Sequence, residues 1–391
     1  MVTDPVLSRK VLCDHTHFSL LGEGGVGHLW EQILGDYVPQ LFDGPGHADL
    51  RHRARDLFTE ANSTALVQRV AGPVYEGVTS ALTEGREVDI AYAARQIVGR
   101  MMADLLGLHL GGTAGADSSA VGGGSIAAEA AGTVGATRAA TSVATAPDSA
   151  SAPADAEFVH LFESGERLAA LALGSAASTV LPAERIQAAR AIIGELTRDV
   201  PDSYAHAPTN TLLGRCREAG LTLEETTGLA CLLLVAGTET AASAMTRTVA
   251  LLHDTGQFGA LLADPARLPD AVREGLRVST PAPVIGRHVV SDVELGGRRM
   301  RAEDRVLLST YTADNRIGGF DITRPYVAEA RQLWFGAGRH LCLGAPVARA
   351  EIGQLLQSLT DAGRPYRIVS RRYARGVMIP TYASLIIAAD G

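Results

Sequence analysis

The segment "FGAGRHLCLG", Phe335 to Gly344, places one cysteine after an aromatic residue and among three glycines. A lone cysteine is usually a small buried hydrophobe and clustered glycines usually form turns, so this segment alone leaves a structural interpretation open. An apolar stripe at helical spacing follows directly, in "APVARAEIGQLLQSL". Cys342 therefore precedes a helix N-terminus, where the helix dipole and free N–H groups stabilise a thiolate. A thiolate presented on a glycine-rich loop, which a flat ligand can approach closely, can ligate iron.

Composition limits the function classes. The chain has 391 residues, of which 46% are hydrophobic, and its formal charge of -8 comes without any Lys/Arg-rich run. These features predict a globular protein without a nucleic-acid partner. The four cysteines, Cys13, Cys216, Cys231 and Cys342, form no CxxC pair, so neither a zinc site nor a disulfide framework is indicated. Charged residues interrupt the N-terminal segment, and we expect a cytoplasmic protein without a membrane partner.

Most of the sequence has helical periodicity, and we expect one domain over residues 1–391. Residues 109–155 are nearly all Gly, Ala, Ser and Thr, which predicts a long mobile loop within that domain because such a stretch buries little apolar surface. An alanine-rich helical segment within it is the alternative. The longest predicted helix is "LTLEETTGLACLLLVAGTETAASAMTRTVALL", in which Thr222 and Glu225 have capping-box spacing. Its apolar residues lie on nearly every face, as in a helix buried through a domain centre. A hairpin and a strand are predicted in "VELGGRRMRAEDRVLL".

The cysteine segment resembles the haem-binding loop of the cytochrome P450 family, Phe-Gly-x-Gly-x-His-x-Cys-x-Gly, at every fixed position. Four further segments resemble the family in its order. "AGTET" (residues 236–240) is similar to the oxygen-binding segment of the long helix, and "EGLR" (274–277) to the Glu-x-x-Arg helix. "GPGHADLRHR" (44–53) and "PAPVIGRHVV" (281–290) are similar to the segments that bind the haem propionates. The resemblance is closest to soluble bacterial members and covers roughly residues 1–108 and 156–391.

The resemblance implies a mainly α-helical, triangular single domain with small β-sheets, holding haem b with Cys342 as the axial iron ligand. It implies a proton-delivery role for Thr240 and Glu239, with O2 as co-substrate. The further haem-binding residues that it implies are His47, Arg51, Ala236, Gly237, Arg287, Phe335, Gly336, His340 and Gly344. The sequence contains no flavin or ferredoxin segment, so we expect electrons from NAD(P)H to arrive through a separate ferredoxin and ferredoxin reductase.

Two departures from the family pattern carry expectations of their own. The segment "VTDPVLSRKVLCDHTHFS" resembles text that normally follows the first strands, so part of the usual N-terminal sheet region is expected to be missing. In "NRIGGFDITRP", Gly319 stands where the family usually has an arginine that completes a triad with the Glu-x-x-Arg pair. Arg316 and Arg324 are the two candidates to replace it.

Three functions are compatible with these motifs. The first is a monooxygenase that hydroxylates or epoxidises a small organic substrate, as in bacterial secondary metabolism. The second is oxidative coupling of aromatic groups on a peptide or natural product by the same haem chemistry. The third is a non-catalytic, P450-like auxiliary partner of another enzyme. A carrier protein that presents the substrate is a further possible partner, and the sequence does not identify the substrate.

Overall fold

The computed structural model describes residues 1–23, 25–34, 43, 46–107, 152–171, 180–209, 211–328, 333–375, 377 and 379–390. These residues form a mainly helical fold with small β-sheets, as the sequence predicts. The predicted loop at 109–155 lies outside the described residues, except that residues 152–155 begin a helix.

The helices are numbered here in chain order. They are α1 (Pro5–Cys13), α2 (Val26–Leu34), α3 (His47–Arg55), α4 (Glu60–Thr83), α5 (Ile90–Leu106), α6 (Ala152–Leu171), α7 (Ala183–Leu196), α8 (Val200–His206), α9 (Leu212–Glu218), α10 (Leu223–Asp254), α11 (Phe258–Ala263), α12 (Leu268–Ser279), α13 (Thr310–Asp314) and α14 (Ala345–Asp361). Helices α5, α6, α12 and α14 all pack against α10, which makes α10 the central element of the core.

Helix α10 begins at the predicted capping box. The Thr222 side chain accepts from the Glu225 N–H at 3.1 Å, and the Glu225 carboxylate accepts from the Thr222 N–H at 2.8 Å. By length and composition this helix could cross a membrane, but 67% of its most apolar window is buried inside the protein, as in the core helix of a soluble protein. Its contact with α12 is close, since a Cβ added at Gly275 would lie 2.2 Å from Oγ1 of Thr248. Only glycine allows that approach.

Three small sheets flank the helices in the described part of the chain. They contain β1 (Phe18–Ser19), β2 (Val88–Asp89), β3 (Ile285–Val289), β4 (Val293–Leu295), β5 (Arg298–Met300), β6 (Arg305–Leu308), β7 (Tyr366–Tyr373) and β8 (Tyr382–Ala389). The sheet orders are β1-β3-β6, β2-β8-β7 and β4-β5, with antiparallel pairing throughout. The predicted hairpin is β4-β5 and the strand after it is β6. Near the N-terminus, Val2 forms a single parallel bridge to Leu308 of β6.

A buried charge network joins α12 to the segment before the cysteine loop. Glu274 and Arg277 pair at 2.7 Å, and each side chain is only 2% exposed. Arg277 also donates to the carbonyl oxygens of Asp314, Gly318 and Gly319. The network therefore fastens α12 to the chain that precedes the cysteine loop.

Of the two candidates for the missing arginine, the structure places Arg324 in this network. Its Nε lies 3.5 Å from Oε2 of Glu274, and its guanidinium donates to the carbonyl oxygens of Ile317 and Gly319. Arg316 instead pairs with Asp4 at 2.8 Å on the surface, where the Arg316 side chain is 62% exposed. Arg324 is therefore the third charged residue of this network, although it follows Phe320 in the sequence instead of preceding it.

Candidate functional site

The Cys342 loop is held by its own backbone. The Cys342 N–H donates to the Phe335 carbonyl oxygen at 2.9 Å, which closes the loop. Gly338 adopts φ +67, and a Cβ there would lie 2.7 Å from the carbonyl oxygen of Leu12 in α1. This position needs glycine for both reasons. The loop ends at Gly344, the N-cap of α14, which places Cys342 just before the helix as predicted.

The sulfur of Cys342 lies in an electropositive environment. The N–H groups of Gly344 and Ala345 donate hydrogen bonds to it, and Arg51 and Arg349 lie near enough for their charges to favour the thiolate. Cys342 itself is exposed to solvent. Although the residue is accessible to solvent, the protein packed around its sulfur desolvates the thiol, and this effect outweighs the others and raises the pKa of the thiol. The geometry suits a sulfur that becomes a thiolate when a cation binds it.

An acid that the sequence analysis did not single out, Asp43, organises the residues beside this loop. Its carboxylate accepts from the Ser19 hydroxyl at 2.6 Å, the Leu20 N–H at 2.7 Å and Nε2 of His340 at 2.8 Å. Arg339 pairs with it as well. Burial alone would raise the pKa of Asp43, but these hydrogen bonds hold it well below its usual value. The only sequence signal for this role was the position of Asp43, four residues before the predicted propionate-binding residue His47.

The two predicted propionate-binding histidines lie together, with ring centroids of His47 and His340 5.0 Å apart. His47 is 3% exposed, and its Nε2 has no hydrogen-bond partner among the described residues. Burial lowers the pKa of His47 to about 4, helped by the charges of His340 and Arg51. Burial also lowers the pKa of His340, although Asp43 opposes that effect. The His47 ring is therefore neutral near pH 7.

The two predicted arginines flank this pair. Arg51 is on α3 one turn after His47 and donates to the Leu341 carbonyl oxygen. Arg287 on β3 is 4% exposed, and its guanidinium donates to its neighbour Gly286 at 2.8 Å. Burial lowers the pKa of Arg287 to about 10, so it remains a cation. The fold thus brings together, from α3, β3 and the cysteine loop, the residues that the resemblance assigns to the propionates.

The "AGTET" segment lies within an uninterrupted helix α10. Ala236 is exposed in the middle of this largely buried helix. The Thr240 hydroxyl donates to the Ala236 carbonyl oxygen at 2.6 Å, which leaves its oxygen free to accept a hydrogen bond. Gly237 lies against α5, where an added Cβ would be 3.2 Å from Cε of Met102. Phe335, in the cysteine loop, is half-buried and lies 5.6 Å below the guanidinium of Arg349.

Glu239 is turned away from the exposed side on which Ala236 lies. It is 5% exposed and lines a small cavity together with Arg95 of α5 and Glu166 of α6. Its carboxylate accepts from the N–H of Ile379, and its Oε2 has no partner among the described residues. Burial and the charge of Glu166 raise the pKa of Glu239 to about 7. Sequence analysis missed Glu166 because it follows the low-complexity segment and belongs to no motif.

These residues fit the haem that the resemblance implies. Cys342 offers sulfur at a helix start, where two N–H groups already point at it. The buried Nε2 of His47, without a partner in the described part of the chain, is a donor for a propionate oxygen. Arg51 and Arg287 supply the charge that two propionates require.

Known proteins resemble part of this sequence. The sequence model of the family described as "Cytochrome P450" matches residues 267–360. The putative cytochrome P450 YjiB of Bacillus subtilis is 36% identical over 160 residues, covering 39% of this chain and 40% of that protein. Nocardicin C N-oxygenase of Nocardia uniformis is 37% identical over 190 residues, covering 45% of this chain and 47% of that protein. The sequence match thus spans less than half the length of either relative.

The fold likeness extends much further along the chain. The crystal structure of P450BioI in complex with an acyl carrier protein ligated to hexadec-9Z-enoic acid superposes with a TM-score of 0.72 at 19% identity. That superposition covers 100% of this chain and 91% of P450BioI. It shows that this chain has the fold of that cytochrome P450 structure, and residues 267–360 in addition match the family's sequence model.

Proposed function

We propose that this protein is a haem-thiolate monooxygenase that hydroxylates or epoxidises a small organic substrate in bacterial secondary metabolism. The observation that carries the proposal is the Cys342 sulfur, which faces two helix N–H groups and two arginines. When bound, haem b would supply O2 activation, with electrons from NAD(P)H delivered by a ferredoxin and its reductase.

The chain's own residues have distinct tasks in this proposal. Cys342 would hold the iron, while His47, Arg51 and Arg287 would bind the propionates by charge-assisted hydrogen bonds. The Thr240 hydroxyl, already donating to Ala236, accepts a hydrogen bond from water and so orders it. Glu239 would hold a proton near neutral pH and release it toward that water. Because Glu239 lines a cavity on the buried side of α10, we propose that water carries its proton to the Thr240 side.

The test begins with the haem itself. The purified protein, reduced and treated with carbon monoxide, should show the red-shifted absorption band characteristic of thiolate-ligated haem. Cys342→Ser should lose that band, whereas Cys13→Ser, which changes another exposed cysteine, should keep it. A wild-type protein that binds no haem under loading conditions would contradict the proposal and favour the auxiliary-partner function.

The substrate is then sought by binding. A panel of natural products, free aromatic peptides and acyl chains on a carrier protein is screened for the spin-state change of the haem. Product analysis of each hit separates oxygen insertion from aromatic coupling, since only the first adds an oxygen atom to the substrate. Coupled products without added oxygen would replace the monooxygenase proposal with the oxidative-coupling alternative.

A further inference from the structure

Two carboxyl groups from different helices face one cavity beside α10. The cavity is lined by Glu239 of α10, Glu166 of α6, Arg95 of α5, Thr381 and Tyr382, and these three helices pack against one another. Glu239 is almost fully buried with Oε2 unpartnered among the described residues, while Glu166 is half-buried. The cavity therefore connects a buried acid to one nearer the surface.

Titratable or charged groups line this cavity from each element packed on it. Burial raises the pKa of Glu166, an effect opposed by Arg95 and assisted by Glu163 on the same helix. Burial likewise raises the pKa of Tyr382 to about 12, so from β8 the cavity receives a neutral hydroxyl. Arg95 donates to the Ala383 carbonyl oxygen at 3.1 Å. It is the one cation that lines the cavity in the described structure.

Two acids in one poorly solvated space do not ionise together easily, because the second charge repels the first. A lone buried acid would hold a proton but would have no short route for replacing it. Glu166 provides that route, since it is half-buried and shares the cavity with Glu239. Arg95 stabilises one negative charge and so favours the state in which the two acids hold one proton rather than two.

We propose that Glu166 and Glu239 act as a proton-relay pair, in which Glu166 takes protons from solvent and passes them across the cavity to Glu239. In each cycle Glu239 loses its proton toward the Thr240 side, and the Glu166 carboxyl then transfers its proton to the Glu239 carboxylate. The Glu166 carboxylate is reprotonated from bulk water, so charge and protons balance. This inference rests on the proposed function, for which it names the source of the protons.

The test measures the protonation of Glu239 directly. Infrared spectra of protein labelled with 13C-glutamate are recorded from pH 5 to 9, and the Glu239→Gln spectrum identifies the Glu239 carboxylic acid band. In Glu166→Gln the midpoint of this band should fall by roughly one pH unit, because the repelling charge is gone. Arg95→Gln should move it upward. Glu157→Gln serves as control, since Glu157 is exposed and lies about 13 Å from Glu166 along the axis of α6.

A second measurement tests proton supply. In haem-loaded protein, Glu166→Gln should release severalfold more peroxide per NAD(P)H than wild type, and Glu157→Gln should match wild type. An unchanged Glu239 midpoint in Glu166→Gln overturns the relay, and so does unchanged peroxide release despite a shifted midpoint. A wild-type protein without the thiolate band contradicts the proposed function instead, and the infrared comparison still reports whether the two acids are coupled.

Discussion

Replacing Arg324 by glutamine tests whether this residue completes the buried network of α12. The Arg324 side chain is 22% exposed, and its guanidinium donates to Ile317 at 2.8 Å and to Gly319 at 3.0 Å. Its Nε is 3.5 Å from Glu274, which is 2% exposed. Glutamine keeps a polar side chain but lacks the positive charge and is too short to make most of these contacts. The substitution therefore removes one cation from a site where charge is poorly solvated.

The expected loss of stability depends on the hydrogen bonds that Arg324 makes and on the ion pair that Glu274 keeps. Hydrogen bonds that involve a charged group contribute about 1.5–3 kcal/mol each, so two such bonds set an upper bound near 6 kcal/mol. Glu274 keeps its partner Arg277 at 2.7 and 2.9 Å, so its charge is not orphaned. We expect Arg324→Gln to lower the free energy of unfolding by about 3 kcal/mol. Arg316→Gln removes an exposed ion pair and should cost less than about 1 kcal/mol.

Urea unfolding of both variants and wild type, with haem loaded, measures these differences by linear extrapolation. At a slope of about 3 kcal/mol per molar urea, Arg324→Gln should lower the midpoint by about 1 M. Retention of haem during dilution provides a second readout, because the network anchors the segment leading into the cysteine loop. If the two variants differ by less than about 0.5 kcal/mol, Arg324 is not the third member of the network.

Two further predictions follow from single side chains. Thr240→Ala should leave haem content and the carbon monoxide spectrum unchanged but raise the peroxide released per NAD(P)H. Thr240→Ser keeps the hydroxyl and should resemble wild type. A Thr240→Ala protein that is less stable but releases no more peroxide would indicate a packing role for Thr240. Burial raises the pKa of Asp314 from 3.8 to about 8 in the folded protein, so the folded state holds this proton more tightly than the unfolded state does. The stability that this proton contributes is full below pH 3.8 and is lost as the pH rises through 8. Asp314→Asn should therefore gain more stability over wild type at pH 8 than at pH 5 in thermal unfolding, and parallel pH profiles would contradict this.

The features that could be predicted from sequence are those fixed by local rules. The capping box at Thr222, the hairpin before β6 and the helix after Cys342 each depend on residues a few positions apart. The same holds for His47 and Arg51, which share one helical turn. Local spacing thus predicts both the elements and the residues that they present.

The features that sequence did not settle depend on packing between distant segments. Glu166 meets Glu239 only because α6 packs on α10, and the two acids are far apart in sequence. Arg316 and Arg324 were equivalent candidates in sequence, and only the fold places the second beside Glu274. The pattern around Glu239 also did not show that its side chain turns away from the exposed side of the helix.

The two histidines beside the cysteine loop show how one further contact adds to a predicted role. Hydrogen bonds keep the pKa of Asp43 low, so its carboxylate can only accept, and Nε2 of His340 at 2.8 Å must carry the proton. Because Nε2 of His340 is committed to Asp43, only its Nδ1 is available for a propionate. His47 has the opposite arrangement, since its buried Nε2 is uncommitted among the described residues. We therefore predict that His47 donates to a propionate from Nε2, and that His340, besides its predicted place at the propionates, fixes the loop carrying Cys342 to Asp43.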